Sequence, residues 1–373
     1  MMELDRLRNA QHICLFGAGV SLTDCIAQLV LLLGRRPDFI CDNAAEKWGK
    51  VIEGVPCISP DELLSHMETV AVVITVRRYE PVFAQLHQLG FASIYVACFD
   101  RSYDVVTNIQ LLDPFCFDGV RSESIIDIKG KWALVTGATR GVGRQIAIEM
   151  ASLGSNLILH GRCVKNLEEV VKTCSGTGVD VRTVCADFGI EPELQMMLDS
   201  LPRDYPPIDI VFNNAAISLY CGDDPFNIAA DDYARHFSIN TIAPIRICYS
   251  LLPRMIERRF GRIVNISSTI QKRPLEMPYA CSKAALNKFV HDIAPELQGT
   301  GVMMSLACPG FVRTDMGGGD APHPVESVIP GLLLGAVMDA DVNGRWFVAQ
   351  DFAGMDLSSA IGKARFYYSL KEG

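Results

Sequence analysis

A short apolar run at residues 132–136 leads directly into a glycine-rich turn that contains Gly137, Gly141 and Gly143. Residues 143–153 then have the pattern of a helix, so the local order is strand, tight turn and helix. Glycines at these positions leave the backbone bare where a helix starts, and a ligand or a neighbouring strand can approach it closely. This order begins a β-α-β unit, and it predicts an α/β fold with a parallel sheet.

Apolar runs at similar intervals continue the alternation along the second part of the chain. The five further strands that they predict are residues 156–160, 181–185, 208–212, 262–266 and 303–307. Helices are expected between them, for instance at residues 277–297. Six parallel strands with helices on both faces form a doubly wound sheet, which is the architecture of Rossmann-like domains.

An independent series of apolar runs precedes this domain. Its predicted strands are residues 12–16, 39–42, 70–76 and 94–97. They indicate a smaller Rossmann-like α/β domain over residues 1–112. Between residues 113 and 125 the pattern breaks into Pro, Gly, Ser and charged residues, which are typical of a linker. The sequence therefore predicts an N-terminal domain at 1–112, a linker at 113–125, and a second domain with a C-terminal extension at 126–373.

The role of the N-terminal domain is open at this point. Its first strand is followed by Gly17 and Gly19, but Leu22 stands where a third glycine would complete a dinucleotide fingerprint. Asp42 ends the second predicted strand, where it would either meet a ribose or form a turn with Asn43. The domain would thus bind a ligand or serve as a structural or oligomerising appendage.

Composition restricts the partners of the chain. A net charge of −9 argues against nucleic acid or an anionic membrane as the main partner. No apolar run approaches the ~20 residues that span a bilayer, and the N-terminus lacks the basic and then apolar order of a secretory signal. Thirteen scattered cysteines without a Cys-x-x-Cys pair predict a reducing, cytoplasmic location and no metal site.

The glycine turn suits the diphosphate of a dinucleotide, because backbone N–H groups at a helix N-terminus point at the anion. Val142 belongs to the same turn. The next strand ends at His160 and Arg162 without the acidic residue that commonly binds the ribose hydroxyls of NAD. Arg162 and Arg140 would instead bind a 2′-phosphate through their guanidinium groups. The predicted cofactor is therefore NADP(H) rather than NAD(H).

Tyr279 and Lys283 stand one helical turn apart, so their side chains project from the same face. The pKa of a tyrosine is near 10, and a neighbouring ammonium group favours the phenolate and lowers that pKa towards the range of an acid/base catalyst. The combination of this pair with the glycine turn resembles the short-chain dehydrogenase/reductase family. The resemblance covers about residues 126–373.

The resemblance implies a role for each catalytic position. Tyr279 would be the acid/base, and Lys283 would tune it and hold the nicotinamide ribose. Ser268, rather than its neighbour Ser267, would hydrogen-bond the substrate oxygen. Asn240 would support a proton-relay water near the lysine. The gap between Ser268 and Tyr279 is a residue or two shorter than the family pattern, which predicts a trimmed loop between them.

The resemblance also implies further contacts to the cofactor. One aspartate would contact the adenine, an Asn-Asn-Ala-Ala segment replaces the family's Asn-Asn-Ala-Gly, and a Pro-Gly loop would hold the nicotinamide amide. These positions are Asp187, Asn213, Ala215, Pro309, Gly310 and Thr314. Residues 314–322 resemble the corresponding loop of carbonyl reductases in the family and are expected to form a flexible lid.

The activity implied by the resemblance is the interconversion of a carbonyl and a secondary alcohol by a homodimer or homotetramer. Residues 10–100 resemble small domains attached to bacterial enzymes of surface polysaccharide and modified-sugar synthesis, which implies a sugar-derived substrate. Lys272 and Arg273 would receive an anionic substrate, or they are solvated loop charges. The alternatives are a sugar-nucleotide epimerase or dehydratase with the same cofactor chemistry, and a non-catalytic module that senses NADP(H).

Overall fold

The structure is a computed structural model that describes residues 7–18, 20–76, 79–100, 105–112, 125–219, 221–269 and 273–368. The chain divides into two compact units, Met1–Arg121 and Ser122–Gly373. The predicted linker lies outside the described residues except for Ile125, and so does Gly19 of the N-terminal turn.

The first unit is a mostly parallel sheet with flanking helices. Its strands are β1 (His12–Phe16), β2 (Phe39–Cys41), β3 (Val51–Ile52), β4 (Val55–Ile58), β5 (Val70–Ile74), β6 (Ile94–Asp100) and β7 (Val105–Leu111). Its helices are α1 (Val20–Leu33), α2 (Pro60–Leu64) and α3 (Glu80–Gln88). The strand order is β3-β4-β2-β1-β5-β6-β7.

The predicted strands of this unit correspond to β1, β2, β5 and β6, which pair in parallel with one another. The prediction omits β3, β4 and β7. Of the described pairs in this sheet, β3 with β4 and β6 with β7 are antiparallel. These strands are short or carry polar residues, so they lack the continuous apolar run that marks a buried parallel strand.

The second unit is a doubly wound sheet. Its strands are β8 (Trp132–Val135), β9 (Asn156–Gly161), β10 (Val181–Cys185), β11 (Ile208–Asn213), β12 (Gly261–Ile266), β13 (Val302–Cys308), β14 (Val312–Arg313), β15 (His323–Pro324) and β16 (Trp346–Val348). Its helices are α4 (Gly141–Ser152), α5 (Glu168–Ser175), α6 (Glu191–Asp204), α7 (Ala230–Phe237), α8 (Ala243–Glu257), α9 (Met277–Ile293), α10 (Ile329–Val337) and α11 (Leu357–Tyr367).

The main sheet of this unit is parallel throughout, in the order β10-β9-β8-β11-β12-β13-β16. The doubly wound parallel sheet is thereby confirmed, with one strand more than the six that the sequence predicts. The extra strand, β16, has three residues, too few to show a strand pattern on their own. Strands β14 and β15 form a separate small pair.

The core lies on both faces of this sheet, because successive side chains of a strand point to opposite faces. In β8, Val135 packs into the core under α4 and α10, whereas Leu134 packs into the core under α6, α8 and α9. Strands β8, β11, β12 and β13 are neighbours, so their carboxyl ends lie side by side. In open sheets of this kind, ligands bind at that edge.

Candidate active site

The glycine turn forms a bare cradle between β8 and α4. Gly137 and Gly141 have positive φ angles of 65° and 55°, which favour glycine. A methyl group added to Gly143 would lie 2.3 Å from the carbonyl oxygen of Gly137. A methyl on Gly137 would lie 2.9 Å from the Cα of Ala215. No larger side chain fits here, so the N-terminus of α4 stays open to a diphosphate.

Thr136 and Asn214 fix the next loop against this turn. The hydroxyl oxygen of Thr136 accepts the N–H groups of Asn214 and Ala215 at 2.9 and 3.0 Å. The side-chain amide of Asn214 donates to the carbonyl oxygens of Thr136 and Gly137 at 2.9 and 3.2 Å. Ala215 therefore lies at the cleft. The Asn213 side chain instead lies inside the sheet, where it donates to Asn265 at 2.9 Å.

His160 braces the turn from the neighbouring strand, a role that the sequence prediction does not give it. The N–H of Gly137 donates to its Nδ1 at 3.2 Å, and its Nε2 lies 3.0 Å from the carbonyl oxygen of Ala186. Burial lowers the pKa of His160 to about 4, so the ring is neutral and its Nε2 carries the proton. The ring stacks on Phe188. A polar residue near the end of an apolar strand beside a glycine turn is the signal that could have identified it.

The residues predicted to recognise the adenosine end lie around the same opening. Arg162 is exposed, and no described acidic residue forms an ion pair with it. Arg140 pairs with Asp315, with 2.6 Å between Nη1 and Oδ2. Asp187 accepts the N–H of Gly189 at 2.8 Å. The two predicted phosphate ligands are thus brought to one cleft, and one of them already has an acidic partner.

Helix α9 carries the catalytic pair, and Ser268 follows β12. The Ser268 side chain hydrogen-bonds Tyr279, so the two hydroxyls lie close together. Tyr279 is 8% exposed. Burial raises the pKa of Tyr279 to about 12, although the bond to Ser268 opposes this rise. The tyrosine therefore keeps its proton at neutral pH in this geometry.

Lys283 is buried beside the cleft, and its Nζ donates to the carbonyl oxygen of Ile266 at 2.7 Å. Burial also lowers the pKa of Lys283 itself, to about 8. The predicted lowering of the Tyr279 pKa by Lys283 is not found in this geometry, because the lysine is directed at the Ile266 carbonyl and burial dominates the tyrosine. Tyr279 and Lys283 both line the cleft, as the motif predicts. The pKa of Tyr279, however, is raised and not lowered.

Asn240 lies in a π-helical turn, Ser238–Ile242, between α7 and α8. Its side-chain oxygen accepts the N–H of Ile217 at 2.8 Å, and its amide donates to the Ile217 carbonyl and to the Ser282 hydroxyl at 2.9 and 3.0 Å. The side chain thus anchors the loop after β11 to helix α9. Turns of this kind are frequent at functional sites. Ser282, which the sequence prediction omits, stands between Tyr279 and Lys283.

The loop after β13 closes the site from the other side. Gly310 has a φ angle of 69°, and its N–H donates to the Cys308 sulfur at 3.4 Å. Thr314 lies against the glycine turn, since a methyl added to Gly141 would be 3.3 Å from its Cγ2. Residues of the Pro-Gly loop therefore approach the N-terminus of α4 directly.

A cleft of about 800 Å³ joins these parts at the carboxyl edge of the sheet. The predicted positions that line it are Gly137, Arg140, Gly141, Val142, Arg162, Asp187, Ala215, Tyr279, Lys283, Pro309 and Thr314. The predicted positions that do not line it are Gly143, Asn213, Asn240, Ser268 and Gly310. Ser267 lines the cleft and donates to Asn287 on α9. A bare cradle, two arginines and a volume of this size fit a dinucleotide.

Asp42 and Arg273, two further candidate ligand-binding residues, form ion pairs with neighbouring residues. Asp42 accepts N–H groups from Ala18 and Ala44 at 2.6 and 2.9 Å and pairs with Lys47 at 3.0 Å. Partial burial of the Asp42 carboxylate acts to raise its pKa, but these bonds hold that pKa below its usual value. Its oxygens are therefore used within the turn. Arg273 pairs with Glu276 at 2.9 Å, and Lys272 lies outside the described residues.

The described ranges contain no group of three or more His, Cys, Asp or Glu side chains that could hold a metal ion. No described helix is both long enough and apolar enough to cross a bilayer.

Known proteins are similar to a little over half of this chain. A short chain dehydrogenase of Pseudocercospora fijiensis is 30% identical over 197 residues, which are 52% of this chain and 63%, less than two thirds, of that protein. A hydroxynaphthalene reductase-like protein of Metarhizium brunneum is 32% identical over 211 residues, 56% of this chain and 78% of that protein.

A solved structure shares the fold. A 3-oxoacyl (acyl-carrier-protein) reductase of Agrobacterium tumefaciens, with NADP bound, has a TM-score of 0.56 at 24% identity and covers 62% of this chain and 97% of its own. The family profile described as short chain dehydrogenase matches residues 131–323, which include the glycine turn and the Tyr279–Lys283 pair. The chain therefore belongs to the short-chain dehydrogenase family and is an oxidoreductase.

Proposed function

We propose that the protein is an NADP(H)-dependent reductase that converts a carbonyl group to a secondary alcohol. The observation that carries this proposal is the meeting of two features in one cleft: the bare glycine cradle at α4, and Tyr279 with Lys283 buried nearby. Ser268, which does not line the cleft, hydrogen-bonds Tyr279. A hydride carrier held in the cradle would lie next to a proton donor, and carbonyl reduction requires both.

The cofactor supplies the hydride to the carbonyl carbon when it is bound. The chain's own residues handle the oxygen. The hydroxyls of Ser268 and Tyr279 hold the carbonyl oxygen, and Tyr279 donates its proton to that oxygen as negative charge develops there. Because the pKa of Tyr279 is about 12, its side chain is protonated at neutral pH and can donate the proton that carbonyl reduction requires. The reverse reaction, alcohol oxidation, would require its phenolate. At a pH below its pKa of about 8, Lys283 is protonated and supplies positive charge beside the site.

Two arginines without a neighbouring ribose-binding acid support NADP(H) over NAD(H). Arg162 follows β9, where NAD enzymes commonly carry an acidic residue, and Arg140 precedes α4. A guanidinium matches a 2′-phosphate through charge-assisted hydrogen bonds. The same fold holds NADP in the reductase of Agrobacterium tumefaciens. In this proposal the glycines of the turn cradle the diphosphate, and the Pro-Gly loop with Thr314 holds the nicotinamide.

The wider setting is proposed on the sequence patterns alone. Residues 1–112 are an N-terminal Rossmann-like domain, residues 113–125 a linker, and residues 126–373 the catalytic domain of a cytoplasmic homodimer or homotetramer. The substrate is a small carbonyl compound or alcohol, with a sugar derivative of surface polysaccharide synthesis as the candidate that the N-terminal domain suggests. An epimerase or dehydratase would use the same cofactor. A sensor of NADP(H) would bind it without turnover.

Replacement of Tyr279 by Phe tests the reaction. We expect the Tyr279→Phe variant to bind NADPH within about twofold of the wild type and to lose carbonyl reduction by roughly 100-fold or more, the usual contribution of a general acid. NADPH binding is measured by fluorescence, and turnover by NADPH absorbance with a panel of aliphatic, aromatic and sugar-derived ketones.

The matched control is Tyr249→Phe, an exposed tyrosine on α8 that is 56% accessible, which should leave turnover unchanged. Undiminished reduction by Tyr279→Phe would assign the proton transfer to another group. Tight NADPH binding by the wild type with no turnover of any ketone would favour the sensor.

A further inference from the structure

The loop between β14 and β15 is built to hold a fixed position beside the glycine turn. At its base, Val312 and Arg313 pair with His323 and Pro324. The Arg313 guanidinium donates to the carbonyl oxygens of Ala321 and Pro322 at 3.2 and 3.3 Å. Both ends of the loop are therefore tied together. The first residues of the loop, Thr314, Asp315 and Met316, line the cleft.

Thr314 shapes the tip of this loop. Its carbonyl oxygen accepts the N–H of Gly318 at 2.8 Å, and its hydroxyl oxygen accepts the N–H of Gly317 at 3.1 Å. Its methyl group packs against Gly141 in the glycine turn. The turn that these bonds close presents the next residue, Asp315, towards the residue that precedes α4.

The carboxylate of Asp315 forms an ion pair with the guanidinium of Arg140. The carboxylate and guanidinium groups are 2.6 Å apart, and the two side chains are 69% and 71% exposed. Arg140 is one of the two arginines assigned above to the 2′-phosphate. A guanidinium binds carboxylate and phosphate through the same N–H donors. A phosphate on Arg140 would therefore compete with Asp315 for those donors and would be repelled by it.

We propose that Asp315 is a specificity-determining residue whose carboxylate competes with the 2′-phosphate of NADP(H) for Arg140. The inference rests on the proposed function, because it requires Arg140 to bind that phosphate. NADPH therefore has to displace the carboxylate from Arg140. NADH has no 2′-phosphate and meets no such competitor. Asp315 thus moderates the preference for NADPH that the two arginines create.

The test compares the dissociation constants of NADPH and NADH, measured by fluorescence at low salt, in the full chain. We expect Asp315→Asn to bind NADPH about three- to fivefold more tightly than the wild type, in line with the modest effect of an exposed ion pair. NADH affinity should be unchanged. The gain should fade at high ionic strength, because salt screens exposed charges.

Asp320→Asn is the matched control. Asp320 lies in the same loop and carries the same charge, and it forms no ion pair with any residue of the described ranges. Its replacement should leave both dissociation constants unchanged. An equal gain in this variant would reduce the effect to net charge and overturn the proposal. Weaker binding of both cofactors by Asp315→Asn would also overturn it, because Asp315 would then hold the bound cofactor in place.

Arg140→Gln separates this inference from the assignment beneath it. We expect the variant to bind NADPH more weakly, with NADH little changed, and Asp315→Asn to have no effect in that background. If Arg140→Gln weakens NADPH binding but Asp315→Asn does not strengthen it, the competition is rejected and the cofactor assignment stands. If Arg140→Gln leaves the NADPH affinity unchanged, the assignment of Arg140 and the competition are both rejected.

Discussion

Lys283 shows how the position of one side chain can follow from a motif while its energetics do not. The four-residue spacing from Tyr279 places both residues at the cleft, as a shared helix face requires. The burial of the ammonium group depends on β12 and β13, which are distant in sequence, and this burial lowers its pKa to about 8. A charge held in such surroundings reduces the stability of the folded state, as is common at active sites.

Burial of the Lys283 ammonium group should make the free energy of unfolding depend on pH in a way that the Lys283→Met variant lacks. The folded-state pKa of about 8 lies below the usual 10.5, so between these values the unfolded wild type binds a proton that the folded protein has lost. Wild-type stability should therefore rise across this window relative to Lys283→Met, by up to about 3 kcal/mol, since each pH unit corresponds to about 1.4 kcal/mol.

The measurement is the free energy of unfolding by urea at pH values from 7 to 10.5. The control is Lys288→Met on the same helix, which replaces a lysine whose side chain is 68% exposed. A difference between wild type and Lys283→Met that stays constant with pH would mean that the lysine has an ordinary pKa in the folded protein.

At the scale of the secondary-structure element, the sequence of the glycine turn predicts its shape and the strand and helix that it joins. The three glycines are where a strand must enter a helix within a few residues. What the pattern does not reveal is the support around the turn, which comes from Thr136, Asn214 and His160. These contacts join residues that are distant in sequence, so no local periodicity marks them.

Gly143→Ala tests whether the packing of this element controls cofactor binding. The added methyl would lie 2.3 Å from the Gly137 oxygen and 2.5 Å from the Asn214 amide nitrogen, so the turn and the adjoining loop must separate. We expect a loss of NADPH affinity of roughly tenfold or more and a loss of stability of about 1–3 kcal/mol. Titration by fluorescence and urea unfolding measure the two effects.

Gly319→Ala provides the comparison, because a methyl group there has open space around it and the residue does not line the cleft. It should leave both quantities close to the wild-type values. Unchanged NADPH binding by Gly143→Ala would show that the turn can yield without loss of the cradle.

At the scale of the whole molecule, the sequence predicts the second unit more completely than the first. All six strands predicted for the doubly wound sheet occur within a residue or two of their expected bounds. Long, continuous apolar runs mark buried parallel strands, whereas β3 and β7 pair antiparallel at the edges of the first sheet. The pairing of Arg140 with Asp315 depends on a loop conformation, which composition and spacing do not define.

The second unit has its own sheet and its own buried cores, which predicts that it folds alone. We expect a fragment of residues 122–373 to unfold in one cooperative thermal transition and to bind NADPH within about threefold of the full chain. Calorimetry and fluorescence titration check both expectations. The comparison is a fragment of residues 1–121, which should not bind NADPH. Loss of binding by the longer fragment would instead assign part of the site to the first unit.

Helix α9 links three parts of the active centre at once. It presents Tyr279 and Lys283 to the cleft, holds Asn240 through Ser282, and receives Ser267 at Asn287. An insertion or deletion inside this helix would misalign all of these contacts together, whereas residues 221–229, which precede α7, carry none of the catalytic side chains. Natural variation could therefore alter that segment while the chemistry stays in place. The protein separates what must be inherited unchanged from what is free to diversify.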